Sequence, residues 1–294
     1  MQRFKKAEGK ALIYDSYDVL LAQWGVDKKE LDFETPYGMT HAIVCGNPDN
    51  PPLLLFHGVG DNAALMWIYN MRELARYFYV IAVDTIGGPG KSEPNEAYFK
   101  HFKQSLWIDS IWDYFGLDKA HIAGVSNGAY LAGCYTAKHP DKVRGVVCMA
   151  GGIKISPVRM LLAFLPEALF PTEANTRRLL RKLTAPGSDA FESNPELLLH
   201  WSYLLKYFNN RSMMVHKYVP FTEADLAVLR EKALFLIGEF DRLSNYPKAI
   251  QALQVHGLTY RIVKSAGHGI NHEQPEKVHE EMIRFLLEEK AYIP

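Results

Sequence analysis

The stretch Ala120 to Ala137, AHIAGVSNGAYLAGCYTA, constrains this chain more than any other. It opens on an apolar run, His121 to Val125, that suits a buried strand. It then turns through Gly124-Val125-Ser126-Asn127-Gly128 and continues with helical spacing. A serine on such a turn is held in a strained backbone conformation, its hydroxyl exposed at the tip of a sheet. Gly124 and Gly128 lack the Cβ atoms that would clash there. G-x-S-x-G arises by chance in roughly one chain in ten of this length. Its weight here comes from lying between a strand and a helix. A nucleophilic Ser126 needs a base, an orienting acid and an oxyanion site from elsewhere in the chain.

The rest of the sequence supplies a frame for that turn. Leu31 to Pro36 and Met39 to Gly46 read as a hairpin turning at Tyr37-Gly38. The continuous apolar runs Pro52–Phe56, Phe78–Val83, Val143–Ala150 and Ala233–Gly238 suit strands covered on both faces, and a further strand is expected at Thr259–Val263. Helices are expected at Ala11–Trp24, Ala63–Tyr77, Tyr98–Phe115, Tyr246–Val255 and Pro275–Leu287. Strand and helix alternate, which predicts an α/β protein with a doubly wound, mostly parallel sheet.

The alternation breaks after Gly152. Residues 153–221 are Leu-rich and aromatic, are punctuated by Pro157, Pro166, Pro171, Pro186 and Pro195, and show no good strand. They read as a helical cap inserted into a core of residues 1–152 and 222–294, whose first 30 residues form an N-terminal arm. A helix bounded by Pro157 and Pro166 suits a lid over an apolar pocket better than a membrane-surface helix.

Chemistry in such sheets gathers at the carboxyl ends of the strands. Ser126 follows one strand, Asp241 follows ALFLIG, His268 follows TYRIV and the His57-Gly58 turn follows PLLLF. Each has a rival. Ser126 could be an ordinary turn serine, and His272, four residues after His268, could be the working imidazole. Glu239 competes with Asp241, although the spacing from Gly238 favours Asp241. His268, His272 and Glu273 could suggest a metal, but the H-E-x-x-H order is missing and Gly269 interrupts the helix that would align the rings. Gly87 to Ser92 lacks the order of a phosphate-binding loop.

The His57-Gly58 turn, the elbow, Gly238-x-x-Asp241 and Gly267-His268 followed by Glu273-x-Pro275 together resemble the α/β-hydrolase fold family, from about Leu53 to Phe285. Within it the chain is most similar to bacterial carboxylesterases of the NP type. The likeness lies in THAIVCGNPDNPPLLLFHG, in the Met66-Trp67 pair and in the spacing of the Asp84 loop. In that loop the serine stands eight residues after the aspartate, against seven in the commoner family pattern. The resemblance implies a carboxylic-ester hydrolase with Ser126 as nucleophile, His268 as general base and Asp241 as orienting acid. The backbone N–H groups of Val59 and Asn127 would form the oxyanion hole, and Trp67 would be a substrate contact. His57 would shape the oxyanion turn and Asp84 would brace its own loop. Such an enzyme needs no cofactor and no metal. Thioesterase, lactonase or carbon–carbon bond hydrolase chemistry on the same triad stays open, as does a small-molecule receptor on this fold.

Composition excludes other classes. Lys+Arg and Asp+Glu both number 33, so there is no basic surplus for nucleic acid. No apolar stretch reaches the ~18 residues of a membrane span, and the N-terminus does not develop a signal-peptide core. The three cysteines, Cys45, Cys134 and Cys148, cannot all pair, which suits a reducing cytoplasmic setting.

Overall fold

The apolar runs become the strands of one sheet, nine-stranded among the described residues. The structure, a computed structural model, describes residues 2–151, 153–154 and 157–287. Met1, Gly152, residues 155–156 and residues 288–294, which fall at the ends and at the start of the expected insertion, lie outside the described residues.

Helix α1 (Ala7–Ala22) leads into the antiparallel hairpin β1 (Lys28–Thr35) and β2 (Gly38–Cys45). β3 (Pro52–Phe56) follows, then the short helices α2 (Ala63–Met66) and α3 (Met71–Leu74), β4 (Tyr79–Val83) and the two-residue β5 (Glu93–Pro94). Helices α4 (Glu96–His101) and α5 (Gln104–Phe115) precede β6 (Ala120–Val125), α6 (Asn127–Lys138) and β7 (Val143–Met149). The chain then leaves the sheet through α7 (Pro157–Leu169), α8 (Glu173–Leu183), α9 (Pro195–Tyr207) and a 3-10 turn, Asn210–Val215. It returns through α10 (Glu223–Lys232), β8 (Ala233–Gly238), α11 (Pro247–Val255), β9 (Thr259–Val263), α12 (Ile270–Glu273) and α13 (Pro275–Leu287).

The strand order is β1-β2-β4-β3-β6-β7-β8-β9, with β5 on β2, and every pairing from β4 to β9 is parallel. From β3 the chain winds one way to β4 and later the other way from β6 to β9. The carboxyl ends of β3 and β6 therefore flank a topological switch point, where such sheets open a crevice. The mostly parallel α/β expectation is met.

The pleat divides the core in two. Leu53 and Leu55 pack with α1 and α13 on one face, and Leu54 and Phe56 with α5 and α6 on the other. All four side chains are fully buried, and each contributes about 1.5–3 kcal/mol of hydrophobic stabilisation.

Several elements differ from the sequence expectation, each through a tertiary contact. The helix expected over 63–77 splits into α2 and α3. Between them Asn70 is buried and donates from its side-chain amide to the Asn271 carbonyl at 3.1 Å. The helix expected over 98–115 breaks at Phe102, whose ring packs among Tyr37, Tyr98 and His216, while the Lys103 N–H donates to the Tyr37 hydroxyl. Pro166 does not end a helix but lies inside α7. The helix-bonding partner it would deprive, the Leu162 carbonyl, belongs to a residue 70% exposed, on a face where solvent can take up the lost bond. Helix α10 was not expected at all. It begins at a capping box in which Thr222 and Asp225 satisfy each other's backbone N–H groups.

Leu54 is central on both axes of the sheet, pairing with Ile81 on one side and Ile122 on the other. Leu54→Ala is expected to cost about 2–5 kcal/mol, a fall in Tm of roughly 3–8 °C by differential scanning calorimetry. A change below 2 °C would contradict this placement of the core.

Candidate active site

The elbow is made by close packing. β6 ends at Val125 and α6 begins at Asn127, leaving Ser126 alone between them with φ 55° and ψ −112°. That positive φ is strained for a residue with a side chain. The Ser126 N–H donates to the Met149 carbonyl on β7 at 2.8 Å, which fixes the turn to the neighbouring strand. A Cβ on Gly124 would stand 2.2 Å from the Gly128 carbonyl carbon, and one on Gly128 would stand 2.1 Å from the Phe56 carbonyl oxygen. Only glycine at both positions lets α6 press against β6 and β3 this closely. Asn127 occupies the first position of α6, where the backbone N–H has no acceptor within the helix.

The turn after β3 abuts the elbow. A Cβ on Gly58 would lie 3.6 Å from that of Ser126. His57 is fully buried and accepts the Thr85 N–H at Nε2 (2.8 Å), so its Nδ1–H donates to the Gly58 carbonyl (2.8 Å). Both ring nitrogens are thereby used in holding the turn, and His57 has none free to act as a base. Val59, next along, lies on the wall of the same cavity as Ser126 and Asn127.

The Asp84 loop closes despite its extra residue. Asp84 accepts the N–H groups of Ala63 and Lys91, and the Ser92 hydroxyl donates to the Asp84 carbonyl at 2.6 Å.

His268 and Asp241 meet at the ends of β9 and β8. Nδ1 of His268 lies 2.9 Å from Oδ2 of Asp241, whose side chain is fully buried. Asp241 also accepts the N–H groups of Leu243 and Ser244 and the Ser244 hydroxyl. Burial alone would raise the Asp241 pKa. The charge and hydrogen bond of His268, with the Ser244 and Leu243 donors, outweigh it and hold the carboxylate below its ordinary range. Burial alone would lower the His268 pKa, and the Asp241 charge and hydrogen bond outweigh it and raise it. The two shifts agree on an ionised aspartate facing a readily protonated imidazole.

The rivals are bound elsewhere. Glu239 accepts from Lys264 at 2.8 Å and from the Ser265 N–H at 3.1 Å. His272 is buried, and its Nε2–H donates to the Leu65 carbonyl at 3.0 Å.

Ser126 and His268 open on one cavity of about 670 Å³. Its walls are largely apolar and come from α7, α8 and α9 (Phe164, Leu179, Trp201) as well as from the sheet side (Met66, Val125). Trp67 is corrected by the structure. It is fully buried in the core beneath the site and does not line the cavity, whereas the adjacent Met66 does. The pair sits where α2 ends, and the turn there points only one of the two side chains upward.

Sequence reasoning missed the residues that hold these loops. Glu273 accepts the Gly267 N–H (2.7 Å) before His268 and the Ala185 N–H (2.6 Å) beyond α8. The Leu183 carbonyl at the end of α8 accepts from the N–H groups of both His268 and Gly269. The Tyr218 hydroxyl donates to the Asn127 side chain at 2.8 Å. Of these only Glu273 carried a sequence signal, its spacing before Pro275.

Comparison with known proteins agrees with this fold. Residues 51–275 match the family model described as the alpha/beta hydrolase fold. Carboxylesterase YbfK of Bacillus subtilis is 27% identical over 296 residues, 97% of this chain and 96% of that protein. Its crystal structure superposes with a TM-score of 0.80 at 26% identity, covering 96% of this chain and 99% of that one. The structure of naproxen esterase (carboxylesterase NP) from Bacillus subtilis shares the fold, with a TM-score of 0.83 at 22% identity over 96% of this chain and 99% of that one. Protein NDRG4 of Xenopus tropicalis is 33% identical over 76% of this chain and 60% of its own length.

Gly128→Ala is expected to force α6 off β3, costing about 1–3 kcal/mol by overpacking and lowering reactivity at Ser126 beyond what the stability loss explains. Thermal melts together with the rate of labelling by a fluorophosphonate check this. Unchanged labelling would show that the elbow tolerates a looser helix.

Proposed function

The chain belongs to the α/β-hydrolase fold family, and from that premise we propose that it is a serine carboxylesterase acting through an acyl-enzyme on Ser126. The observation that carries the reading is His268, bonded to the buried Asp241, which shares one apolar cavity with a strained serine on a strand-to-helix elbow. The similarity to carboxylesterase YbfK along nearly the whole of both chains supports the ester class.

Serine is a weak nucleophile at neutral pH until a base takes its proton. In the proposed sequence Ser126 Oγ attacks the ester carbonyl while His268 Nε2 accepts the proton. Asp241, bonded to Nδ1–H, fixes that tautomer and stabilises the imidazolium. The oxyanion of the tetrahedral intermediate is held by the N–H groups of Val59 and Asn127, each such donor worth about 3–4 kcal/mol. Collapse expels the alcohol, which takes the proton from His268. Water, activated by the same imidazole, then releases the acid and restores Ser126. Every proton and bond is accounted for by these groups and the substrate, so the cycle calls on no cofactor.

We read residues 153–221 as a cap on a core of residues 1–152 and 222–294. Its helices supply much of the apolar wall, which suits an ester with a hydrocarbon acyl or alcohol group. The three free cysteines fit a cytoplasmic setting. Among the described residues no helix is long and apolar enough to cross a membrane.

Ser126→Ala is expected to abolish turnover of p-nitrophenyl esters. Asp241→Asn should lower kcat by roughly 10³–10⁴-fold, whereas Glu239→Gln should change it less than about threefold, as expected of a surface ion pair. Activity that survives Ser126→Ala, or a larger loss in Glu239→Gln than in Asp241→Asn, would sink the assignment.

The pH profile gives a separate check. The base must be neutral, and its pKa is raised above the ordinary 6.5. The acid limb of kcat/KM should therefore have its midpoint above pH 6.5, with activity lost as pH falls through it. A midpoint near pH 4 would point to a different ionisation.

A further inference from the structure

Six carboxyl side chains are buried among the described residues: Asp61, Asp84, Glu167, Asp225, Asp241 and Glu281. Five have evident partners. Asp84 accepts two backbone N–H groups, and Asp241 binds His268 and the Ser244 turn. Glu167, Asp225 and Glu281 pair with lysine or arginine. Asp61 is different. It is 5% exposed and lies on the wall of the Ser126 cavity, two residues beyond Val59. Its hydrogen-bond partner is the N–H of the adjacent Asn62, at 3.0 Å on Oδ1. Burial, opposed only in part by the Asn62 N–H, holds its acidity well below that of an ordinary aspartate, and the Asp84 charge adds to this effect.

The chain immediately after Asp61 is anchored from three directions. The Asn62 side-chain oxygen caps α2 by accepting the Leu65 N–H, and its amide donates to Nε2 of His200 on α9 at 2.8 Å. His200 therefore carries its proton on Nδ1 and donates to the Ser16 hydroxyl of α1 at 2.7 Å, which passes its own proton to the Leu12 carbonyl. The Ala63 N–H is held by Asp84. Asp61 is a carboxyl in a largely apolar cavity wall whose second oxygen has no partner among the described residues, which leaves it available to a ligand. Such a group persists where a ligand completes it.

We propose that Asp61 is the specificity determinant of this cavity, selecting esters that carry an ether, hydroxyl or carbonyl oxygen at the point facing it over their hydrocarbon counterparts. The inference rests on the esterase reading above. An uncharged carboxyl donates its O–H to such an oxygen and costs nothing further in desolvation. An ionised one would repel the oxyanion that develops in the same cavity. The ligand chemistry is thus a neutral acceptor and not an ammonium group.

The test compares p-nitrophenyl octanoate with isosteric acids in which one methylene is replaced by oxygen at successive positions, and repeats the walk along the alcohol of octyl acetate. Wild-type kcat/KM should peak at one oxygen position, at least about tenfold above its neighbours. In Asp61→Leu that peak should collapse. In Asp61→Asn, whose amide still donates and accepts, it should survive within about threefold. Asp61→Ala provides the same comparison should the leucine variant fail to fold. A flat wild-type series along both walks overturns the proposal, as does a peak that persists in Asp61→Leu. Preference for a trimethylammonium ester over its 3,3-dimethylbutyl isostere overturns it too, by showing an ionised carboxyl. Loss of all ester turnover in Ser126→Ala with these ratios unmet in the wild type would leave the esterase reading standing and remove only the role of Asp61. No turnover of any ester by the wild type would remove both.

Discussion

The contact on which the site depends is the approach of α6 to the sheet at Gly124 and Gly128. Two missing Cβ atoms let the helix start within van der Waals distance of β6 and of the Phe56 carbonyl at the end of β3. That approach forces Ser126 into its positive φ and sets the start of α6 beside the turn at Gly58 and Val59. The strain is local, and the cost of about 1–3 kcal/mol for such a residue is met by the fully buried strands on either side. The positions of the proposed nucleophile and oxyanion donors are thus consequences of one packing event. They sit at the switch point because β3 and β6 are neighbours there.

The other half of the site is built from loops, and loops need ties. Asp241 is fixed by its own turn through Leu243 and Ser244, so it orients His268 without moving itself. His268 is held from the opposite side by the end of α8, through the Leu183 carbonyl. Glu273 spans the same two bodies, with one oxygen on Gly267 and the other on Ala185. The helices over the cavity are thereby hydrogen-bonded to the segment that carries the imidazole. A shift of α8 would be felt at His268 before any ligand touched it.

Much of this was legible in the sequence because the relevant signals are short-range. Apolar runs of five or six residues gave β3, β6 and β8 almost to the residue, Thr259–Val263 was placed as β9, and the triad candidates follow those strand ends. Periodicity misled where a side chain found a better partner far away. Asn70 and Phe102 both lie in helical patterns, and both left the helix to satisfy Asn271 and an aromatic cluster. Pro166 misled in the other direction, since an exposed helix face tolerates the lost bond. Trp67 was indistinguishable from Met66 by sequence, because which of two adjacent residues faces a cavity depends on the last turn of a four-residue helix. His200, Asn62 and Ser16 gave no signal, their contacts spanning 184 and 138 positions.

The proposal of His268 as base rests on partner chemistry rather than position. Four other histidines are buried near the site, and burial lowers the pKa of each: His57, His200 to about 3, and His216 and His272 to about 4. His57, His216 and His272 each bond a backbone carbonyl and His200 bonds Asn62, so all four are held neutral by neutral partners. His268 is largely buried but faces a carboxylate, whose charge and hydrogen bond reverse the sign of its shift. In a dry cavity a charge forms only where an opposite charge already waits. Of these five imidazoles, only the one beside Asp241 has its protonated form favoured by its surroundings.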